Sequence, residues 1–144
     1  LAALSCAASK DSTFPEVTSC AAHEAIATFA AGCFWSVELA FQRVPGIVST
    51  QVGYTGGSIE NPKYEQVYAG STGHAEAVRL VFDPTVISYL SLLQRFASDL
   101  PTSSGHSTVG SHLTFDQLAA AHNPKDDHGT QYRSVVYFHD EAQQ

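Results

Sequence analysis

The 144-residue chain is 44% apolar and 15% charged, the balance of one compact globular domain and not of a disordered segment. Fourteen acidic against seven basic residues leave a formal charge of −7 with no basic cluster, which argues against nucleic acid as a partner. No apolar run approaches the roughly 18 residues of a membrane span, and three cysteines cannot all pair within one chain.

Residues 1–22 carry Cys6 and Cys20 among Ala, Ser and Thr without periodicity and read as a flexible tail. The chain holds no methionine, so Leu1 is not expected to be a translation start. A short apolar strand over Ala25–Ala31 leads to Gly32-Cys33. A helical pattern begins at once, with Phe34, Val37, Phe41 and Val44 at three- and four-residue steps. Pro45-Gly46 ends that helix, and a strand-like Ile47–Tyr54 closes on Thr55-Gly56-Gly57, a turn signal. After a looped stretch, His74–Phe82 alternates: His74, Glu76, Val78, Leu80 and Phe82 share one face, and Ala75, Ala77, Arg79 and Val81 the other.

Asp83-Pro84 breaks that strand. An amphipathic helix is expected over Thr85–Ala97, its stripe formed by Ile87, Leu90, Leu93 or Gln94, and Phe96 or Ala97. Residues 101–111 are Ser-, Gly- and Thr-rich loop, and Thr114 with Gln117 is a capping-box signature for a short helix over Phe115–His122. Tyr132–Phe138 reads as the last strand. His139-Asp140-Glu141 resembles the opening of a helix, which suggests a truncated C-terminus. The order β-α-β-β-α-(α)-β is the split β-α-β, ferredoxin-like arrangement: an α+β sandwich over residues 23–144, one sheet with helices packed on it.

Cys33 is the most informative residue. Between a buried strand and the first turn of a helix, its sulfur lies where unpaired backbone N–H groups converge, a setting that lowers a cysteine pKa from about 8.5 to roughly 3.5–7.5. An inert, buried small hydrophobe is the blander reading. Gly32 permits a sharp turn, and Phe34 and Trp35 place two large rings beside the sulfur. Adjacent helix residues cannot both face the core, so one ring, that of Trp35, is available to line a pocket.

Gly32-Cys33-Phe34-Trp35 followed by Val37-Glu38 resembles the active-site motif of the methionine sulfoxide reductase A family. Gly73-His74-Ala75-Glu76-Ala77-Val78 resembles that family's second signature, and Gly129-Thr130-Gln131-Tyr132-Arg133-Ser134 its third. The resemblance implies reduction of methionine-S-sulfoxide, free or in oxidised proteins, with Cys33 attacking sulfur and becoming a sulfenic acid. It implies Glu76 as the proton donor and Phe34 and Trp35 as the pocket for the substrate methyl. Tyr64 and Tyr132 would be phenol donors to the sulfoxide oxygen, and Asp127 a substrate-orienting group. A free Glu with pKa about 4.3 is protonated at pH 7 only about one time in 500. Half-protonation there requires about 3.7 kcal/mol, which burial on the apolar face of Val78, Leu80 and Phe82 can supply. Tyr132, opening its strand, has core filling as its alternative.

No metal or bound organic cofactor is implied; electrons would come from an external thiol, dithiothreitol in vitro or thioredoxin in the cell, acting on a monomer. Three features depart from the family pattern. Ser36 stands where Gly is usual. The family's Pro-Thr segment is matched partly by Pro101-Thr102 and partly by His122-Asn123-Pro124, with additional chain between. The C-terminal resolving cysteines have no counterpart after Cys33, leaving a lost C-terminal segment, Cys20 or Cys6, or an external thiol to resolve the sulfenic acid. Other readings stay open: zinc on His106, His112, His122 and His128, which lack metal-site spacing; a hydrolase using Cys33, His74 and an Asp; and a relative that binds sulfoxide or a partner without turnover.

Overall fold

The computed structural model describes residues 13, 14, 21–98 and 129–144. Its elements are β1 (Ala25–Ala30), α1 (Phe34–Gln42), β2 (Ile47–Thr55), α2 (Tyr64–Tyr68), β3 (Ala75–Phe82), α3 (Tyr89–Ser98) and β4 (Val135–Tyr137), with 3-10 turns at Thr130–Tyr132 and Glu141–Gln143. The strands form one four-stranded antiparallel sheet in the order β2-β3-β1-β4. β1 and β2 therefore run parallel with β3 inserted between them, the split β-α-β arrangement expected from the order of elements.

β1 and β3 are central and buried along their whole lengths. The face toward the helices carries Ala25, Ala27 and Phe29 of β1 and Val78, Leu80 and Phe82 of β3, packed against Val37 and Phe41 of α1 and Leu92 and Phe96 of α3. Phe29 stacks on Phe41 at 5.5 Å and on Phe96 at 4.9 Å between ring centroids, so one ring ties both helices to the sheet. Thr50 of β2 donates its hydroxyl to Glu38 of α1 at 2.8 Å, fixing the outer strand to the same helix. The opposite face mixes polar and apolar groups: buried Thr28 and Arg79 lie there with Phe14, Ala30, Ala75 and Ala77, the Arg79 guanidinium 4.9 Å from the Phe14 ring centroid and donating to Gln51. A cavity of about 110 Å³ on that face is lined by Arg79, Thr28 and His139 among others, and lies on the other side of the sheet from the helices.

Several local readings are corrected. α3 begins at Tyr89, after a turn in which the Asp83 carboxylate accepts from the Thr85 N–H, and its buried stripe is Leu92 and Phe96 while Leu90 is exposed. The looped stretch before β3 contains α2, whose Gln66 side chain accepts from the Lys63 N–H at 2.8 Å and caps it. Tyr132 does not open β4; it belongs to the 3-10 turn before it. Asp140 does cap the final turn, its side chain accepting from Gln143 N–H at 3.1 Å. The short helix expected over Phe115–His122 lies outside the described residues.

Candidate active site

β1 delivers the chain to Gly32, whose φ of +69° is the left-handed conformation that glycine adopts without a Cβ penalty. The next residue, Cys33, is the N-cap of α1: its backbone is extended, and its carbonyl accepts from the Ser36 and Val37 N–H groups. Cys33 therefore sits at the positive end of the helix, half-buried. Ser36 is exposed in that first turn. Phe34 turns toward the core and Trp35 outward, 69% exposed, with the two ring centroids 6.0 Å apart.

Glu76 lies on the helix-side face of β3, alternating with Val78, Leu80 and Phe82, and is 4% exposed. Its Oε2 accepts the Phe34 N–H at 3.1 Å. One of the unpaired amides of the first turn of α1 thus points at the carboxyl, and the residue bonded to Cys33 holds it in place. Cys33 and Glu76, 43 residues apart in the chain by their numbering, come together at one end of the sheet.

The third motif forms a brace around them. Gly32 donates its N–H to the Tyr132 carbonyl at 3.0 Å, so the Tyr132 turn abuts the Cys33 turn. Gln131, buried, donates its amide to the Tyr68 carbonyl at the end of α2. Arg133 donates to the Thr130 carbonyl within its own turn and to the Gly73 carbonyl ahead of β3 at 2.9 Å. Tyr64 opens α2, 55% exposed, and stacks on Tyr68 at 6.0 Å.

A residue that the sequence reading did not single out also belongs here. Tyr54 of β2 is the ladder partner of Glu76, and its ring lies 5.7 Å from that of Phe34. Burial pushes its phenol up to about 12, assisted by the nearby acidic groups of Glu76, Tyr64, Tyr132 and Glu65. Those four groups therefore share one electrostatic neighbourhood. The available signal was the strand register, because only the pairing of β2 with β3 puts Tyr54 opposite the acid.

His74 is structural. Buried behind Gly57, its Nδ1 accepts the Gly57 N–H at 3.2 Å and its Nε2 donates to the Ile59 carbonyl at 2.8 Å. A Cβ at Gly57 would lie 2.4 Å from the ring, so glycine is required there. With both nitrogens engaged by backbone, His74 is not presented as the base that a hydrolase needs. Asp127, Cys6, Cys20, and the histidines at 106, 112, 122 and 128 lie outside the described residues. Among those described, no group of three or more His, Cys, Asp or Glu side chains is placed to hold a metal ion, and no helix is long and apolar enough to cross a membrane.

The fold is shared with known proteins. A family model described as peptide methionine sulfoxide reductase matches residues 25–144. Peptide methionine sulfoxide reductase MsrA of Methanococcoides burtonii is 46% identical over 123 residues, covering 81% of this chain and 66% of the relative. The MsrA of Escherichia coli is 48% identical over 112 residues, covering 78% and 45% respectively. The chain thus spans about half to two thirds of the length of these curated relatives. Methionine sulfoxide reductase A of Corynebacterium diphtheriae superposes with a TM-score of 0.66 at 29% identity, over 85% of this chain and 50% of that one. Reduced Mxr1 of Saccharomyces cerevisiae does so with a TM-score of 0.64 at 27% identity, over 90% and 66%. A cysteine-capped helix bonded to a buried glutamate, on a sheet shared with these reductases, leads to one assignment: the chain belongs to the peptide methionine sulfoxide reductase family.

Proposed function

We propose that this chain reduces methionine-S-sulfoxide, free or in oxidised proteins, to methionine, and that Cys33 and Glu76 perform the chemistry. The observation that carries the reading is the hydrogen bond from the Phe34 N–H to Glu76, which fixes a buried carboxyl beside the nucleophile's own helix turn. The sulfur of Cys33 attacks the sulfoxide sulfur while the Glu76 carboxyl protonates the sulfoxide oxygen. The substrate sulfur gains an electron pair, the Cys33 sulfur loses one, and the oxygen ends on Cys33: thiol plus sulfoxide gives sulfenic acid plus thioether.

The other side chains bind and orient. Phe34 and Trp35 offer an apolar wall for the terminal methyl, and the phenols of Tyr64 and Tyr132 donate to the polarised oxygen. Asp127 is assigned as an orienting group by resemblance alone. Two equivalents of thiol then return Cys33 to the reduced state, leaving a disulfide and water. Thioredoxin is the proposed cellular donor, dithiothreitol its substitute in vitro, and Cys20 or Cys6 a candidate internal resolving thiol.

The test is a single turnover. The protein is mixed with one equivalent of methionine sulfoxide without reductant, methionine is counted, and sulfenic acid at Cys33 is trapped with a dione reagent. One methionine per chain, a labelled Cys33 and no product from Cys33→Ser are the expected results. Cleavage of an ester substrate instead would establish a hydrolase, and binding without methionine would leave a non-catalytic relative. Cys20→Ser and Cys6→Ser are expected to spare this first step. Loss of thioredoxin-driven turnover in either variant would identify the resolving thiol.

A further inference from the structure

We infer that Tyr54 is a positioning residue of this site: its ring, directly across the ladder from Glu76 and packed on Phe34, keeps water from the carboxyl. Three contacts close a triangle. Phe34, bonded to Cys33, gives its N–H to Glu76 at 3.1 Å. Tyr54 and Glu76 are direct cross-strand partners, so their Cβ atoms are neighbours at about 4.5–5.5 Å. The Tyr54 and Phe34 rings approach to 5.7 Å at a tilt of 32°. Each corner is held by the other two.

The burial gradient supplies the direction. Glu76 is 4% exposed although it is the second residue of its strand, where a carboxylate would ordinarily be solvated. Tyr54 is half-buried, as expected of a ring lying between the acid and solvent. Paired within the β2–β3 ladder, it is also more rigidly placed than Tyr64, which starts a five-residue helix and is 55% exposed. The titratable groups around the pair are the Cys33 thiol from the turn before α1, Tyr64 and Glu65 from α2, and Tyr132 from the 3-10 turn. Arg79, on the same strand, points to the opposite face of the sheet. Among these described groups the only other carboxyl is Glu65, which is exposed, so hydration is the main variable that a change at Tyr54 would alter.

The catalytic consequence rests on the reading of Glu76 as the acid, but the shielding itself is measurable without turnover. Carbon-13-labelled glutamate reports each carboxyl titration by NMR, and Glu76→Gln assigns the signal. In Tyr54→Leu, water reaches the carboxyl and its titration midpoint is expected to fall by about one pH unit, a tenfold change in the ionisation equilibrium. Tyr54→Phe keeps the ring and is expected to match the wild type. An unmoved midpoint in Tyr54→Leu overturns the inference, and so does a shifted midpoint in Tyr54→Phe, which would assign the effect to the hydroxyl. If Tyr54→Leu does not fold by circular dichroism, Tyr54→Met carries the same measurement with an unbranched side chain. Single-turnover rates follow in parallel. Where the reductase reading holds, the alkaline limb of the Tyr54→Leu rate profile moves down with the midpoint and KM stays unchanged. Where the wild type forms no methionine, that reading fails while the NMR comparison still decides the role of Tyr54.

Discussion

Replacing Glu76 by Gln separates holding the substrate from giving it a proton. The amide is isosteric with the carboxyl, and its oxygen can accept the Phe34 N–H that now reaches Oε2 at 3.1 Å. The 4% exposed site needs no repacking. The retained hydrogen bond is of the kind worth about 0.5–1.5 kcal/mol, so thermal stability is expected to change by less than about 1 kcal/mol. What the amide lacks is a transferable proton. A positioned general acid contributes about 10²–10⁴ in rate, equivalent to about 2.7–5.5 kcal/mol of transition-state stabilisation. Rapid-quench single turnovers at graded sulfoxide concentrations give the maximal rate and the half-saturation point separately. The maximal rate is expected to fall by at least about a hundredfold while half-saturation moves less than about threefold. Equal losses in both would refute Glu76 as the acid and leave it a binding group.

Three further outcomes follow. His74→Ala leaves the Gly57 N–H and Ile59 carbonyl without their ring partners. Each orphaned group costs about 1–3 kcal/mol, so Tm is expected to drop by roughly 10 °C while methionine formed per folded chain stays at one equivalent. An unchanged Tm with lost chemistry would make His74 a reactive group instead. Gly32→Ala forces a Cβ into φ +69° and is expected to lower the unfolding free energy by about 1–2 kcal/mol in urea titrations; no change would show that the Cys33 turn relaxes freely. For His139, burial and then the neighbouring Arg79 charge hold the imidazole below its ordinary 6.5. Between the folded value and 6.5 the unfolded chain binds more protons, so the stabilisation is complete above 6.5 and is lost as pH falls below it. Denaturant midpoints measured from pH 7.5 to 5 are expected to decline more steeply in the wild type than in His139→Gln, and parallel profiles would contradict this.

The sheet was legible because its punctuation is strong. Pro45-Gly46 and Asp83-Pro84 delimit apolar segments, and the alternation of β3 assigns Glu76 to the helix-side face without any knowledge of register. β2 is different. Its pairing skips Val48, which bulges outward and is 54% exposed, between Ile47 and Ser49. Counting twos from Ile47 would send Tyr54 to the far face, whereas the bulge returns Thr50, Val52 and Tyr54 to the helix side. That single extra residue hides Tyr54 from sequence reasoning. α2 was missed because five residues give no periodic signal. Tyr132 was misplaced because the β-rich run after it outweighs a turn whose determinants are tertiary: Gly129 at φ +137° and the Gly32 and Arg133 hydrogen bonds.

Those hydrogen bonds also bear on how such a chain tolerates change in length. Gln131 and Arg133 bolt the Tyr132 turn to Tyr68 and Gly73, while Gly32 binds its backbone, so the turn's location is set independently of the connection from residue 98. A turn riveted at its landing point can therefore accept inserted or deleted residues upstream while the Tyr132 carbonyl stays bonded to Gly32.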